Sequence, residues 1–495
     1  MNILKKFKRL FNPIDLTNGK IAKVFILFLI PIILSTLFQQ VYTLTDTIIV
    51  GKNLNSNEVA GVNNAATMSS MILNFTIGCT AGFSLILSKS VGAKNFNTAR
   101  KSVFVQLILA FVMAIILTIT AYFLIDPLLA WIKITPSETN PDMDEIYNSA
   151  KTYLTILFIG GITSQMLYNM VGAILRALGD SFTPFLFLVM ATMMNVVLDL
   201  TFIIPLKMGV AGSALATVLS QLFAAIGAFI YAFVRYKELR LKKEDLKVSR
   251  KFVFDHLKLG LPLGLQWTIL DIGVVVMSAA VIPFDMISAT ATVAANPAQL
   301  GYGVSNKFSG LMMGFFSATG NVLLSYISQN KGANKIDRIK DGFKFASILT
   351  ICTALILMTL GFLLSINGAY LYIFLSKDKI NSQTIHFGNT YLYIALPFYI
   401  PLGLIYVGRN SIQALEKPLY PLLSGVVELL TRTLICTFIP ISINGGAINS
   451  TASNWSYISI CFADPITWIA SMCVVIIPTI IELKKLGKNK QITES

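Results

Sequence analysis

Two acids stand where the chain otherwise reads as hydrocarbon: Asp46 in "YTLTDTIIVG" and Asp199 in "MMNVVLDLTFIIP". An ionised carboxylate at the centre of a membrane-spanning helix costs about 3 kcal/mol on insertion scales, so an acid there has a role or a partner. Asn195 lies four residues before Asp199, on the same face of one helix, and Thr217 in "GVAGSALATVLSQ" adds a hydroxyl on the next. Two carboxylates, an amide oxygen and a hydroxyl make a hard oxygen set that suits a small cation such as Na+. Without such a cation, lost hydration and mutual repulsion favour keeping a proton on one carboxyl, and that proton could be exchanged at physiological pH. Asn195 and Thr217 serve either as ligands of such a site or as hydrogen-bond glue between helices.

The elements that must hold these groups follow from composition. Of 495 residues 55% are hydrophobic and 13% charged, and the mean hydropathy is +0.70, which places the chain among polytopic membrane proteins. Windows of about 20 apolar residues predict twelve transmembrane helices near 24–50, 59–87, 103–125, 152–175, 182–204, 209–234, 254–282, 301–327, 345–366, 391–408, 419–441 and 458–481. The net charge of +15 does not point to nucleic acid, because Lys and Arg fall in short clusters between the apolar runs. One set of alternate connections, with the two ends, carries 31 Lys and Arg, and the other set carries six. That asymmetry predicts a multi-pass protein of the cytoplasmic membrane with both termini cytoplasmic. The outer connections include the acidic "TPSETNPDMDEIYNSA" and the uncharged "SINGGAINSTASNWS". At about 1.5 Å per residue, Asp46, Asn195, Asp199 and Thr217 then share a layer roughly 6 to 14 Å below the outer boundary.

The chain also repeats itself. "GVNN" at 61 returns as "GVSN" at 303, "SKSVGAK" at 88 as "SQNKGAN" at 328, and "ALGDSFTPFL" at 177 as "ALEKPLYPLL" at 414. The three offsets, 242, 240 and 237, relate two halves of six helices in the same orientation, the pattern of a parallel repeat. The fold class is therefore an all-α polytopic membrane protein with twelve helices in two six-helix lobes. Residues 1–234 form an N-lobe, 235–252 a basic cytoplasmic linker and 253–495 a C-lobe. Two such lobes that rock about a shared cleft make a transporter, which acts as a monomer within membrane lipid on a small-molecule substrate.

The second half does not copy the polar layer: at an offset of 237, Asn195 becomes Arg432 and Asp199 becomes Cys436. Glu428 and Arg432, four residues apart, read as a structural ion pair. Asp271 is either a coupling residue or part of the cavity. Gln39, Gln40, Tyr42, Met190, Met193 and Met194 offer a pliable surface for bulky apolar cations. Pro31 and Pro262 interrupt helices 1 and 7. The N-terminal "MNILKKFKRLFNPIDLTNGK" is basic and amphipathic and is expected to rest on the bilayer surface. The five cysteines read as small apolar residues.

At "LTDTIIVGK", "LRALGDSFTPFL", "NVVLDLTFI", "GVAGSALATVLSQ", "SQNKGANK" and "SGVVELLTR" the sequence resembles the multidrug and toxic compound extrusion (MATE) family over nearly its whole length. The resemblance implies a twelve-helix antiporter that expels organic cations or other amphipathic compounds in exchange for Na+ or H+, without a cofactor. It implies a cation site that carries over to Asp46, Asn195, Asp199 and Thr217, with Asp271 only a loose positional match. The connection "PFDMISATATVAANPAQLGYG" is longer than the family leads one to expect.

Two other readings compete. A lipid-linked oligosaccharide flippase would line its cleft with Arg and Lys to hold phosphates, whereas the basic residues within the spans are Lys307 and Arg432. A membrane-embedded enzyme would need a general base, and the two histidines, His256 and His386, both fall at helix boundaries or in a loop. No phosphate loop such as G-x-x-x-x-G-K-[ST] stands in the chain, which disfavours ATP-driven pumping.

Overall fold

In a bilayer every backbone polar group must be satisfied internally, so an apolar chain of this kind has helices as its solution. The computed structural model describes residues 12–137, 139–287, 296–448 and 452–494. Among them are twelve helices long and apolar enough to span: α1 Ile21–Asn53, α2 Ser56–Gly92, α3 Phe96–Trp131, α4 Pro141–Ala177, α5 Phe182–Ile203, α6 Gly209–Arg235, α7 Arg250–Asp285, α8 Pro297–Gly332, α9 Ile336–Ile373, α10 Ser382–Ala414, α11 Leu419–Asn444 and α12 Asn454–Gly487. Each window named from the sequence falls on one of these. The side chains of 286, 287, 378 and 488–494, the N-terminal residues 1–11 and the middle of the α7–α8 connection, 288–295, lie outside what is described. The surface-helix reading of the N-terminus and the long-connection reading fall on those stretches.

The helices start and stop where local chemistry dictates. Asn55 caps α2 by accepting from the backbone N–H of Asn57 and Glu58, while Glu58 reaches back to the Asn55 N–H, which completes a reciprocal capping box. The repeat is written in the backbone as well. Asn140 caps α4 and Asn381, 241 residues on, caps α10. Lys94 and Asn334 both take φ of 55° in the turns after α2 and α8, and Gly179 at 87° is matched by Glu416 at 66° after α4 and α10. Even the mid-span faults correspond. A π-helical turn at Leu157–Gly161 breaks α4, and a 3₁₀ turn at Leu396–Phe398 breaks α10. The former frees the Phe158 carbonyl, which accepts from Thr118 Oγ1 at 3.1 Å, as a broken ladder in oil requires.

By compactness the chain divides into two units. One takes the chain up to Thr268 together with Ser325–Arg338, and the other takes Ile269–Leu324 and the chain from Ile339 onward. The first unit therefore includes the start of α7 and the end of α8. Within it Gln329 Nε2 donates to Ala177 O at 2.8 Å, and Asn330 Nδ2 donates to Leu16 O at 3.0 Å. Gly92 and Gly332, 240 residues apart, make a mutual close approach: a Cβ on the first would strike the Gln329 carbonyl and one on the second the Lys89 carbonyl. Only glycine permits that contact. The basic linker carries two short 3₁₀ turns, Lys237–Leu239 and Lys243–Leu246, and Asp245 pins it by accepting from Arg100 Nε at 2.7 Å.

Candidate cation site

The polar layer read from the sequence comes together inside the first unit. Asn195 and Asp199 on α5 are both 0% exposed, and Thr217 on α6 is buried beside them. Asp46 on α1 is half-buried and lies close enough to Asp199 for the two carboxyl groups to interact directly, with Asn195 also in reach of Asp199. Tyr42, one turn before Asp46, donates from Oη to Thr217 Oγ1 at 3.3 Å. This tyrosine was expected to line a substrate path; the structure places it against the polar layer.

What Asp46, Asn195 and Asp199 lack is a donor or a countercharge from outside their own cluster. Asp46 Oδ1, both carboxyl oxygens of Asp199, and Oδ1 and Nδ2 of Asn195 are buried with no hydrogen bond. Buried polar atoms in native proteins are almost always paired, and each orphan calls for an explanation. Neither Asp46 nor Asp199 takes a Lys or Arg in any ion pair among the described residues. The cluster is thus rich in oxygen and short of positive charge, and its donor set fits Na+ or a shared proton. Two residues were missed in the sequence. Tyr153 on α4 is buried within the electrostatic reach of Asp46, Asp199, Tyr42 and Thr217. Ser213, one turn before Thr217 on α6, is 0% exposed with an unpartnered hydroxyl. A tyrosine in "AKTYLTILF" and a serine in a small-residue helix carry no signal of their own; only the fold brings them to the acids.

The remaining sequence candidates scatter. Gln39 is exposed, Gln40 half-buried, and Met190, Met193 and Met194 are all exposed on α5. Asp271 is half-buried on α7 in the second unit. Pro31 is buried, and its carbonyl accepts from Ser35 Oγ at 2.9 Å. His256 is 0% exposed. Its Nδ1 lies 2.8 Å from the Phe252 carbonyl, which can only accept, so Nδ1 donates there, and Nε2 lies 2.8 Å from Ser102 Oγ on α3. That arrangement holds the ring between α3 and α7.

The ion pair expected between Glu428 and Arg432 is corrected by the structure. Both are buried and paired, but with other helices: Glu428 with Arg409 of α10, and Arg432 with Asp464 of α12. Residues four apart do share a face of α11, yet α10 and α12 flank that face and bring opposite charges end-on with additional donors. Arg432 Nε and Nη2 both donate to Asp464 Oδ1, at 3.0 and 2.7 Å, and Tyr391 Oη donates to Asp464 Oδ2 at 2.8 Å. Glu428 Oε1 accepts from Arg409 and, at 2.7 Å, from Ser471 Oγ. A buried pair stands only when its remaining lone pairs and protons are filled in this way. Asp464, in "CFADPITW", is an acid inside an apolar run, the same signal in the sequence that marks Asp46 and Asp199.

Comparison with known proteins agrees with this architecture. The family described as MatE matches residues 31–201 and 275–438, one segment in each repeat. A probable multidrug resistance protein of Bacillus subtilis (strain 168), YoeA, is 26% identical over 412 residues, 81% of this chain and 83% of its own length. The FAD transporter of Shewanella oneidensis is 21% identical over 85% of this chain and 88% of its own. Among solved structures, an outward-facing multidrug resistance MATE transporter superposes with a TM-score of 0.80 at 18% identity, covering 96% of this chain and 99% of its own. With its model matched across both repeats, the chain belongs to the MatE family and is a multi-pass membrane transporter of small molecules, not an enzyme.

Proposed function

We propose that this transporter exports organic cations and other amphipathic compounds in exchange for Na+ or H+, and that the coupling ion is held by Asp46, Asn195, Asp199 and Thr217. The observation that carries the reading is the pair of facing carboxylates whose buried oxygens have no partner. Such a pair is costly in oil unless a cation visits it, and a cation that visits and leaves is what couples an exporter to an ion gradient. The protein's own groups supply binding and selectivity: two negative charges, an amide and a hydroxyl, with Tyr42 holding Thr217 in place. Ion and substrate then compete through alternating access of the two lobes, 1–234 and 253–495, joined by the 235–252 linker, with a monomer in the cytoplasmic membrane and both termini inside. The orphaned carboxylates give no foothold to phosphate, which weighs against the lipid-linked oligosaccharide flippase.

The test is reconstitution in liposomes with ΔpH and ΔpNa imposed separately, following a fluorescent organic cation and, because one relative is named an FAD transporter, FAD. Uphill export of the cation driven by one gradient, and its loss in Asp46→Asn and Asp199→Asn, is the expected result. Undiminished uphill export by the doubly substituted protein would overturn the ion site. Transport of FAD without the cation would overturn the substrate class.

A further inference from the structure

The groups around the first unit's carboxylates have counterparts in the second unit at nearly the repeat spacing. Tyr153 and Tyr391 stand 238 apart, and Asn195 and Arg432, like Asp199 and Cys436, stand 237 apart. On the last helix of each repeat, Ala216, Thr217 and Ser220 correspond to Ala463, Asp464 and Thr467 at 247 apart. The larger offset is shared among a longer α11 than α5, a longer connection from Asn444 to Asn454 than from Ile203 to Gly209, and a longer stretch from Asn454 to Ala463 than from Gly209 to Ala216. The burial agrees, since Ala216, Ser220, Ala463 and Thr467 are all 0% exposed.

In each unit the four positions converge. Tyr153 lies within reach of Asp199 and Thr217 in the first. Tyr391 donates to Asp464 in the second, Arg432 grips the same carboxylate, and Cys436 lies beside both. What differs is where the positive charge comes from. The first pocket has two carboxylates with unpartnered oxygens, and the second has one carboxylate with a guanidinium covalently attached where Asn195 would stand. Gly273 on α7 leaves room for it, because a Cβ there would press on Arg432 Nη1.

We propose that Arg432 is a tethered cation: in the second unit it fills the place that an exchangeable Na+ or proton takes in the first, so that Asp464 is withheld from ion exchange. The inference rests on the reading of the Asp46 and Asp199 cluster as the ion site. A guanidinium stays charged at any working pH and cannot leave, so the second pocket is neutralised for good. Substituting asparagine, the residue of the first pocket, should open it.

The test uses full-length protein carrying Asp46→Asn and Asp199→Asn, which removes the first pocket, with radioactive Na+ as probe and infrared detection of a protonated carboxylic acid in Na+-free buffer. That parent should bind no Na+ above background and give no band from Asp464. Adding Arg432→Asn should raise Na+ retention from background, or produce the acid band, and a further Asp464→Asn should abolish either signal; Arg432→Lys should stay at background. A monodisperse Arg432→Asn protein that shows neither signal overturns the proposal. If Arg432→Asn does not fold, the parent itself decides: an ion signal that Asp464→Asn removes overturns the proposal, and its absence supports it. Failure of the first-pocket reading looks different, as ion-driven export that persists in the Asp46→Asn, Asp199→Asn parent whatever stands at 464.

Discussion

The two units solve the same problem, a carboxylate in oil, in opposite ways. In the second, Asp464 and Glu428 are each matched with an arginine of a neighbouring helix and with surrounding hydroxyls. In the first, Asp46 and Asp199 face each other with oxygens unfilled. Desolvation is similar in kind, and the difference lies in pairing. A paired acid contributes to the fold, whereas an unpaired one is a standing cost that only a visiting ion relieves. Buried charge in a membrane helix is therefore a poor guide to function until its partner is known.

The sharpest way to break this comparison is to neutralise an acid in each unit and measure transport and stability together. Asp199→Asn should reduce gradient-driven export to the level of protein-free liposomes while leaving thermal unfolding in detergent unchanged or shifted upward, because it removes an unpaired charge. Asp464→Asn should do the reverse. It leaves Arg432 buried without its countercharge, a loss of about 3 to 5 kcal/mol, read as a clear fall in the unfolding temperature. Equal destabilisation by both substitutions would mean that Asp46 and Asp199 also serve the fold.

Removing the tyrosine hydroxyls sharpens the contrast at smaller amplitude. Tyr153→Phe takes a polar group from the edge of the ion pocket, and loss of an outer partner of an ion site weakens ion affinity by about 10 to 100-fold. The expected readout is a higher Na+ concentration or a steeper proton gradient for half-maximal export, with unfolding unchanged. Tyr391→Phe removes a hydrogen bond to a charged group, worth about 1.5 to 3 kcal/mol, and should lower the unfolding temperature without moving the ion dependence.

Much of this was open to a reader of the sequence, because the bilayer imposes its rules residue by residue. Span length, loop charge and the 240-residue repeat placed all twelve helices. The layer containing Asp46, Asn195, Asp199 and Thr217 followed from counting 1.5 Å per residue. Pairing was not open in the same way. Glu428 and Arg432 looked like partners because their spacing along one helix is visible, while Arg409 and Asp464 lie on helices whose rotation about their axes no sequence window reports. Tyr153 and Ser213 stayed hidden for the same reason. The contact of Tyr42 with Thr217 was hidden too, since it joins residues 175 positions apart.

The smallest effect tests whether pairing, rather than membership of a unit, decides an acid's role. Asp245 lies in the linker of the first unit, 0% exposed, and accepts from Arg100 Nε and from the Lys242 backbone N–H at 2.7 and 2.9 Å. Burial pushes its carboxyl upward, but those hydrogen bonds and the charge of Arg100 outweigh burial and hold it below the usual carboxylate range. A lowered value means that the contribution to stability is complete above the unfolded carboxylate value, about 3.9, and is lost as pH falls through the folded one. Hydrogen exchange of residues 236–249 should therefore stay protected from neutral pH down to about 4 and rise only below that. In Asp245→Asn protection should be weaker across the range, with ion-driven export retained. Loss of export in that variant, with the linker still protected, would place Asp245 with Asp46 and Asp199 among the acids that move ions.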